Sequence, residues 1–204
     1  MHEKSKSLGI KQPKTELGEA KRNKIVEAAI SLFTEVGFYE TSVADICKKA
    51  HTAVGTFYIY FETKTDLYRF LLDKYKREIK RRLAESIRGA HSREEAEREG
   101  IRCFIKYAVE DPMMYNIIWG SLSIDQEMFV NYYVSFAKSY ASALSKTAEE
   151  LSIVDTTSLA YLLMGITNFM GLHAIFEGMT DEEINKMIDE TVMPALRDGI
   201  FRKA

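Results

Sequence analysis

Residues 41–68, TSVADICKKAHTAVGTFYIYFETKTDLY, constrain the fold more than any other stretch, because two helix starts and a break fall close together in them. Ser42 with Asp45 three places on is a capping pattern, in which a side-chain oxygen takes up one of the backbone N–H groups a helix start leaves unpaired. Val43, Ile46, Cys47 and Ala50 then share one face of a short helix. His51-Thr52 breaks it, and Val54 to Phe61 begins a second short helix with Phe57 and Phe61 pointing inward. Thr63 and Asp66 repeat the capping pattern and open a third, longer helix. Two short helices and a tight turn cannot bury a core alone. Such a unit presents its second helix to something, most commonly a DNA major groove.

The flanking sequence supplies the missing surface. From Ala20 to Val36, the apolar residues Ile25, Ala28, Ala29, Leu32, Phe33 and Val36 recur at helical spacing, and Gly37 is placed to end the helix. A three-helix head is expected over residues 19–66. Residues 1–18, with Lys4, Lys6, Lys11, Lys14 and Pro13, read as a disordered basic arm that is either a solvated tail or a phosphate contact. After Thr63, the series Leu67, Phe70, Leu71, Tyr75, Ile79, Leu83 and Ile87 predicts a rod of about 39 Å running to Arg88, at 1.5 Å per residue.

Charge divides along the same line. Residues 1–90 hold 18 Lys and Arg against 12 Asp and Glu, a net +6; residues 91–204 hold 10 against 18, a net −8. A basic front can meet a polyanion that the acidic remainder would repel. Only three prolines and no β-branched alternation favour an all-α chain. Cys47 and Cys103 lie on apolar helix faces without metal or redox spacing and read as small hydrophobes in a reducing compartment. No apolar leader follows Met1, and Leu159–Phe176, interrupted by Gly165, Thr167, Asn168 and His173, reads as a helix buried in protein rather than a membrane span. A soluble, cytoplasmic chain with no membrane partner is expected.

Residues 67–204 form a helical set. Ser92-x-x-Glu95, Asp155 and Thr180-x-x-Glu183 mark helix starts, Gly178 a helix end, and Pro194 a kink or interruption. The aromatics between Phe104 and Tyr140 fill a core or wall a cavity. Taken together, Phe104, Tyr107, Met114, Tyr115, Trp119, Tyr133, Phe136, Tyr140, Asn168, Met170 and His173 suggest a roomy, partly polar cavity for an apolar or aromatic small molecule. Leu159, Leu162, Leu163, Ile166, Phe169, Met170 and Phe176 run nearly all round the penultimate helix. One side is expected to meet its own core and the other a second copy, with Leu159, Leu163, Ile166, Met187, Thr191 and Leu196 at a two-fold interface. The four dispersed histidines offer no metal set, and no nucleophile elbow, phosphate loop or paired acids appear, so neither cofactor nor catalysis is expected.

The first helix, the TSVADI cap and the run AxxxVGTFYIYFETKTDLY resemble the TetR/AcrR family of bacterial transcriptional repressors, closely over residues 20–70 and by length and helix order beyond. The resemblance implies a homodimer on a palindromic operator in double-stranded DNA, released by an effector held in the C-terminal domain. It further implies that Ser42 and Lys64 meet phosphates, that Val54, Gly55 and Thr56 open the recognition helix against base edges, and that Tyr58 and Tyr60 lie along the backbone. Lys48, Lys49, Thr52 and Ala53 lie beside these and complete the expected DNA face; Lys48 and Lys49 serve equally well as a solvated face. Ala44, Ala53, Val54 and Ile59 stand where many members carry Arg, Ser, Lys or Gln, and His, so base readout leans on thymine methyls and DNA shape. His51 replaces the usual turn glycine, which demands a positive φ from a residue that tolerates it. A ligand-independent architectural DNA-binding protein is the alternative.

Overall fold

The computed structural model describes residues 9–199, and every regular element among them is helical apart from one isolated antiparallel bridge, Ile10 with Phe61. The helices are α1 (Glu16–Glu35), α2 (Val43–Lys49), α3 (Val54–Tyr60), α4 (Lys64–Ser86), α5 (Arg93–Glu110), α6 (Met113–Ile124), α7 (Gln126–Leu144), α8 (Thr156–Glu177), α9 (Asp181–Met187) and α10 (Met193–Gly199). A 3-10 segment, Ser145–Glu150, follows α7, and a π-helical segment, Ile188–Val192, precedes α10. These pack as two compact units, residues up to 75 with 115–129, and residues 76–114 with 130 onward. The sequence placed a boundary at 66/67; α4 instead contributes to both units, and most of α6 belongs with the first.

In the first unit the capping patterns work as the sequence reads. Ser42 Oγ accepts from Asp45 N at 3.1 Å while Asp45 Oδ2 accepts from Ser42 N at 3.0 Å. Gly37 ends α1 at φ +100°, and His51 turns the chain between α2 and α3 at φ +51°. α1 begins earlier than its periodicity suggests because Thr15 caps it, accepting from Gly18 N at 3.1 Å. Ile25, Ala29, Ile46, Phe57, Phe61, Leu67 and Leu71 are buried together. Residues 1–8 of the expected arm lie outside the described residues. The rest of it is held in place: Lys11 N donates to Tyr60 O and Glu62 N to Gly9 O, each at 2.9 Å, and Arg22 Nη1 donates to Gln12 Oε1 at 2.9 Å.

The α6 stretch of this unit is fastened at three points. Tyr68 Oη donates to Ile117 O at 2.8 Å, Tyr39 Oη to Ser123 O at 2.6 Å, and Arg69 Nη2 to Asp125 Oδ2 at 2.7 Å. Gly120 is required here, because a Cβ on it would come within 2.6 Å of Tyr68 Oη.

In the second unit, α5, α8, α9 and α10 enclose a core of Ile101, Ile105, Leu159, Leu163, Ile184, Val192 and Leu196. Pro194 does interrupt the last helix. Its ring excludes the carbonyl of Glu190 from an ordinary turn, and the chain widens into the π-helical segment immediately before it. Arg98 pairs with Asp189 at 2.7 Å and Lys106 with Asp181 at 2.6 Å, fastening α5 to that C-terminal part. α8 is long and apolar enough to cross a membrane by length and composition, with a mean hydropathy of 1.5 in its most apolar window and a third of that window buried within the chain. Leu159, Ala160, Leu163 and Ala174 face the core, while Leu162, Phe169 and Phe176 stand exposed on another face.

Candidate functional site

The exposed face of the helix-turn-helix is built by subtraction. α3 buries Phe57 and Tyr60 and is too short to bury more, so Ala53, Val54, Gly55, Tyr58 and Ile59 remain outside. Tyr58 is 52% and Ile59 57% exposed. Ser42 and Lys48 are exposed beside them, and Thr56 is half-buried.

Three residues expected on this face are used otherwise. Tyr60 is 5% exposed and so does not lie along a DNA backbone; it stands three residues after Phe57 and therefore on the same helix face. Thr52 is half-buried, with its hydroxyl oxygen shut off from solvent. Lys64 reaches back under the loop between α1 and α2, donating to Phe38 O at 2.5 Å and Thr41 O at 2.6 Å, with its ammonium 4.2 Å from the centre of the Phe38 ring. Burial there lowers its pKa from the usual lysine value. It is a clamp that positions the α2 start. Lys49 Nζ is exposed but engages Ser31 Oγ at 2.5 Å and Glu35 at 3.3 Å.

The second unit contains a cavity of about 320 Å³ between α4, α5, α7 and α8. Of the residues expected to line it, Phe104, Tyr133, Phe136, Tyr140 and Asn168 do. The others do not. Tyr107 lies under the Arg82 guanidinium, 4.1 Å from ring centre to carbon; Met114 is fully buried; Met170 packs on the α8 core; and His173 is exposed. Tyr115 and Trp119 belong to the first unit, where the Trp119 ring lies tilted against Phe129 at 6.3 Å between centres.

The cavity's polar end is a buried cluster that the sequence reading passed over. Arg93 Nε donates to Glu97 Oε1 at 2.8 Å, and Tyr140 Oη donates to Glu97 Oε2. The spacing of four between Arg93 and Glu97 was visible, but such pairs are usually solvated. Burial raises the Tyr140 pKa well above the usual phenol value, with the Glu97 carboxylate adding to it, and burial alone moves Tyr133 up to about 12. At the other end, Lys80 Nζ donates to Ser139 Oγ at 2.9 Å and lies 5.6 Å from the Phe136 ring centre.

The residues expected at a two-fold interface divide differently from the sequence reading. Leu159, Leu163 and Leu196 are nearly fully buried within the chain, and Ile166 and Met187 pack against the same core, so they do not form an open contact face; Thr191 is exposed. The open apolar stripe is Leu162, Phe169 and Phe176, with Tyr161 beside it, at helical spacing along α8. No group of three or more His, Cys, Asp or Glu able to hold a metal occurs among the described residues.

Residues 25–70 match the family of bacterial regulatory proteins described as the tetR family. The HTH-type transcriptional regulator HbdR of Aromatoleum sp. (strain CIB) is 37% identical over 71 residues, 33% of this chain and 31% of that protein. The chain thus matches about a third of that relative's length, and the likeness lies in the head. Over the whole fold, a candidate TetR-family transcriptional regulator from Syntrophomonas wolfei aligns with a TM-score of 0.75 at 22% identity, covering 89% of this chain and 96% of that one. The fatty acid degradation regulator FadR from Bacillus halodurans aligns at 0.74 and 17% identity, covering 91% and 96%. Residues 25–70 thus carry a head like that of the tetR family, and the fold over most of the chain is similar to that of TetR-family regulators.

Proposed function

We propose that the protein is a transcriptional repressor that binds a palindromic operator as a homodimer and releases it when a small, mainly apolar or aromatic effector enters the cavity of the second unit. The observation that carries the reading is the exposed α3 face of Ala53, Val54, Gly55, Tyr58 and Ile59, held outside the core by a capped and clamped head. Small and apolar side chains there suit a major groove read through thymine methyls, with Lys48 and Tyr58 exposed for phosphates.

The stripe of Leu162, Phe169 and Phe176 supplies the dimer contact, since an exposed apolar stripe on a long helix calls for a partner. The cavity favours an effector-responsive regulator over a purely architectural DNA-binding protein, because a scaffold has no use for 320 Å³ of apolar space. FadR of Bacillus halodurans, which shares the fold, is a fatty acid degradation regulator, and that makes fatty acids sensible first probes. α4 lines the cavity with Leu83 and Ile87 and fills the first unit's core with Leu67 and Leu71, which gives the two events one shared element. Binding work is done in the cytoplasm, where the operator is.

Effector titrations in the absence and presence of operator duplex test the reading. Such coupling is reciprocal and typically about 1–3 kcal/mol, so operator must weaken effector affinity roughly 5- to 150-fold. Equal affinity in both titrations contradicts it.

A further inference from the structure

α3 carries no charged residue from Val54 to Tyr60, and two of the three lysines expected beside it are held elsewhere. Lys49 engages Glu35 and Ser31, and Lys64 donates to the Phe38 and Thr41 carbonyls, so Lys48 is left. Duplex DNA is held against salt mainly through neutralised phosphates, and one lysine is a small supply. More cations stand on the segment ahead of α1. Ile10 forms the antiparallel bridge with Phe61, the residue that closes α3, and Lys11 N donates to the carbonyl of Tyr60, the last residue of that helix, at 2.9 Å. Side chains alternate along an extended segment, so the half-buried Ile10 leaves Lys11 on the outer side, where it is exposed. Gln12 is fastened by the buried Arg22, whose guanidinium lies 5.1 Å from the Phe70 ring centre. Pro13 packs over Gly18: a Cβ there would lie 3.3 Å from Pro13 Cβ and 3.4 Å from Tyr60 Oη. Lys14 follows and is exposed. Among the described residues, neither the Lys11 nor the Lys14 ammonium has an ion pair or hydrogen bond.

The place where this segment is fastened decides what it meets. A helix-turn-helix sets the first residues of its second helix against base edges. α3 has seven residues and is about 10 Å long, while the major groove is about 12 Å wide and 8.5 Å deep. With Val54 and Gly55 at the bases, the Tyr60 end stands at the groove rim, where the phosphates run. That end would repel a phosphate by itself. It is the negative end of the helix dipole, its last turn has no basic residue, and the exposed Glu62 follows it. Lys11 and Lys14 reverse the sign there.

We propose that Lys11 and Lys14 are a phosphate clamp: the segment ahead of α1, fastened across the end of α3, grips the DNA backbone at the rim of the groove that α3 enters, whatever the base sequence. The clamp rests on the reading of α3 as the groove-facing helix and adds a second contact surface to it. Its lysines are held in place by backbone bonds to α3 itself, so they enter the complex at a fixed distance from the base-reading residues.

Fluorescence anisotropy of the full chain with a labelled mixed-sequence duplex of about 30 base pairs, over a series of KCl concentrations, reads the contact without knowledge of the operator, because phosphate contacts are sequence-independent. Each neutralised phosphate adds about 0.9 to the slope of log affinity against log salt, so Lys11→Ala combined with Lys14→Ala is expected to lower that slope by about two. Both changes keep the backbone N–H groups that fasten the segment, and the unfolding midpoint is expected to stay at the wild-type value. Lys11→Arg combined with Lys14→Arg is expected to keep the slope. Lys24→Ala combined with Lys74→Ala removes the same charge from exposed positions on α1 and α4 and is expected to leave the slope in place. A slope unchanged in the Lys11 and Lys14 alanine variant, or lowered as much in the Lys24 and Lys74 variant, overturns the clamp and leaves the reading of α3 standing. A wild-type chain that binds no duplex at low salt overturns both.

Discussion

Arg69 and Asp125, 56 residues apart in sequence, meet at 2.7 Å, and Arg69 also lies 3.3 Å from Asp66 at the start of its own helix. The contact joins the α4 start to the turn after α6 within the first unit. The Arg69 guanidinium holds the Asp125 carboxyl below the usual aspartate range. Both side chains are partly exposed, so solvent screening limits the pair to about 0.5–1 kcal/mol. Asp125→Asn is expected to lower stability by that amount at neutral pH, read by urea unfolding.

The same depression gives the pH dependence its sign. A carboxylate whose folded pKa lies below its unfolded value stabilises the fold above the unfolded value and loses that contribution as pH falls through the folded one. Asp125 is joined in this by Glu78, which hydrogen bonds from Arg81 and Arg82 bring down to about 2, and by Asp189, lowered by Arg98. Unfolding midpoints are therefore expected to be flat above about pH 4.5 and to fall between there and about pH 2, with wild type and Asp125→Asn converging at the acid end.

Gly120 and Tyr68 make a contact that tolerates no added carbon. An alanine Cβ would sit 2.6 Å from Tyr68 Oη and 3.8 Å from Cζ, so the clash is with the hydroxyl alone. Gly120→Ala is expected to destabilise by about 1–3 kcal/mol, as overpacking does. Tyr68→Phe in the same chain is expected to recover much of that loss, and a double-mutant cycle in urea measures the coupling.

The head was legible in the sequence to the extent that its signals are local. The Ser42–Asp45 and Thr63–Asp66 caps, the Gly37 stop and the positive φ of His51 each follow from a residue and its near neighbours, and each is present. The misplaced residues depend on distant ones. Periodicity identified α8 as apolar on most sides, but only the fold shows that Leu159 and Leu163 enter the core against α5 while Leu162, Phe169 and Phe176 face outward. Lys64 reads as a free cation until the loop carbonyls of Phe38 and Thr41 are placed over it. Tyr115 and Trp119 left the expected cavity set because α6 is held by Tyr39 and Tyr68, which no local pattern reveals. Tyr60 was a simpler miss, since its spacing from Phe57 already placed it inside.

The open stripe on α8 makes self-association sensitive to a single charge. Phe169→Glu puts a carboxylate on the 62% exposed position at its centre, where pairing would have to desolvate it. Light scattering at micromolar concentration is expected to show a dimer for wild type and a monomer for the variant, with the helical circular dichroism of both alike.

The DNA face and the core beneath it separate cleanly by mutation. Lys48→Ala is expected to reduce the slope of log affinity against log salt by about one, with little change in sequence preference. Tyr58→Ala is expected to weaken operator binding while leaving the unfolding midpoint in place, whereas Tyr60→Ala lowers the midpoint because its ring is buried.

Selection of bound duplexes from a random pool tests the central claim most directly, that a paired, outward-facing α3 reads operator DNA. The expected result is enrichment of one motif made of two inverted half-sites whose centres lie about one helical turn or a multiple of it apart, and loss of that enrichment with Tyr58→Ala. A pool that stays random, or an enriched single half-site bound by one copy of the chain, contradicts it.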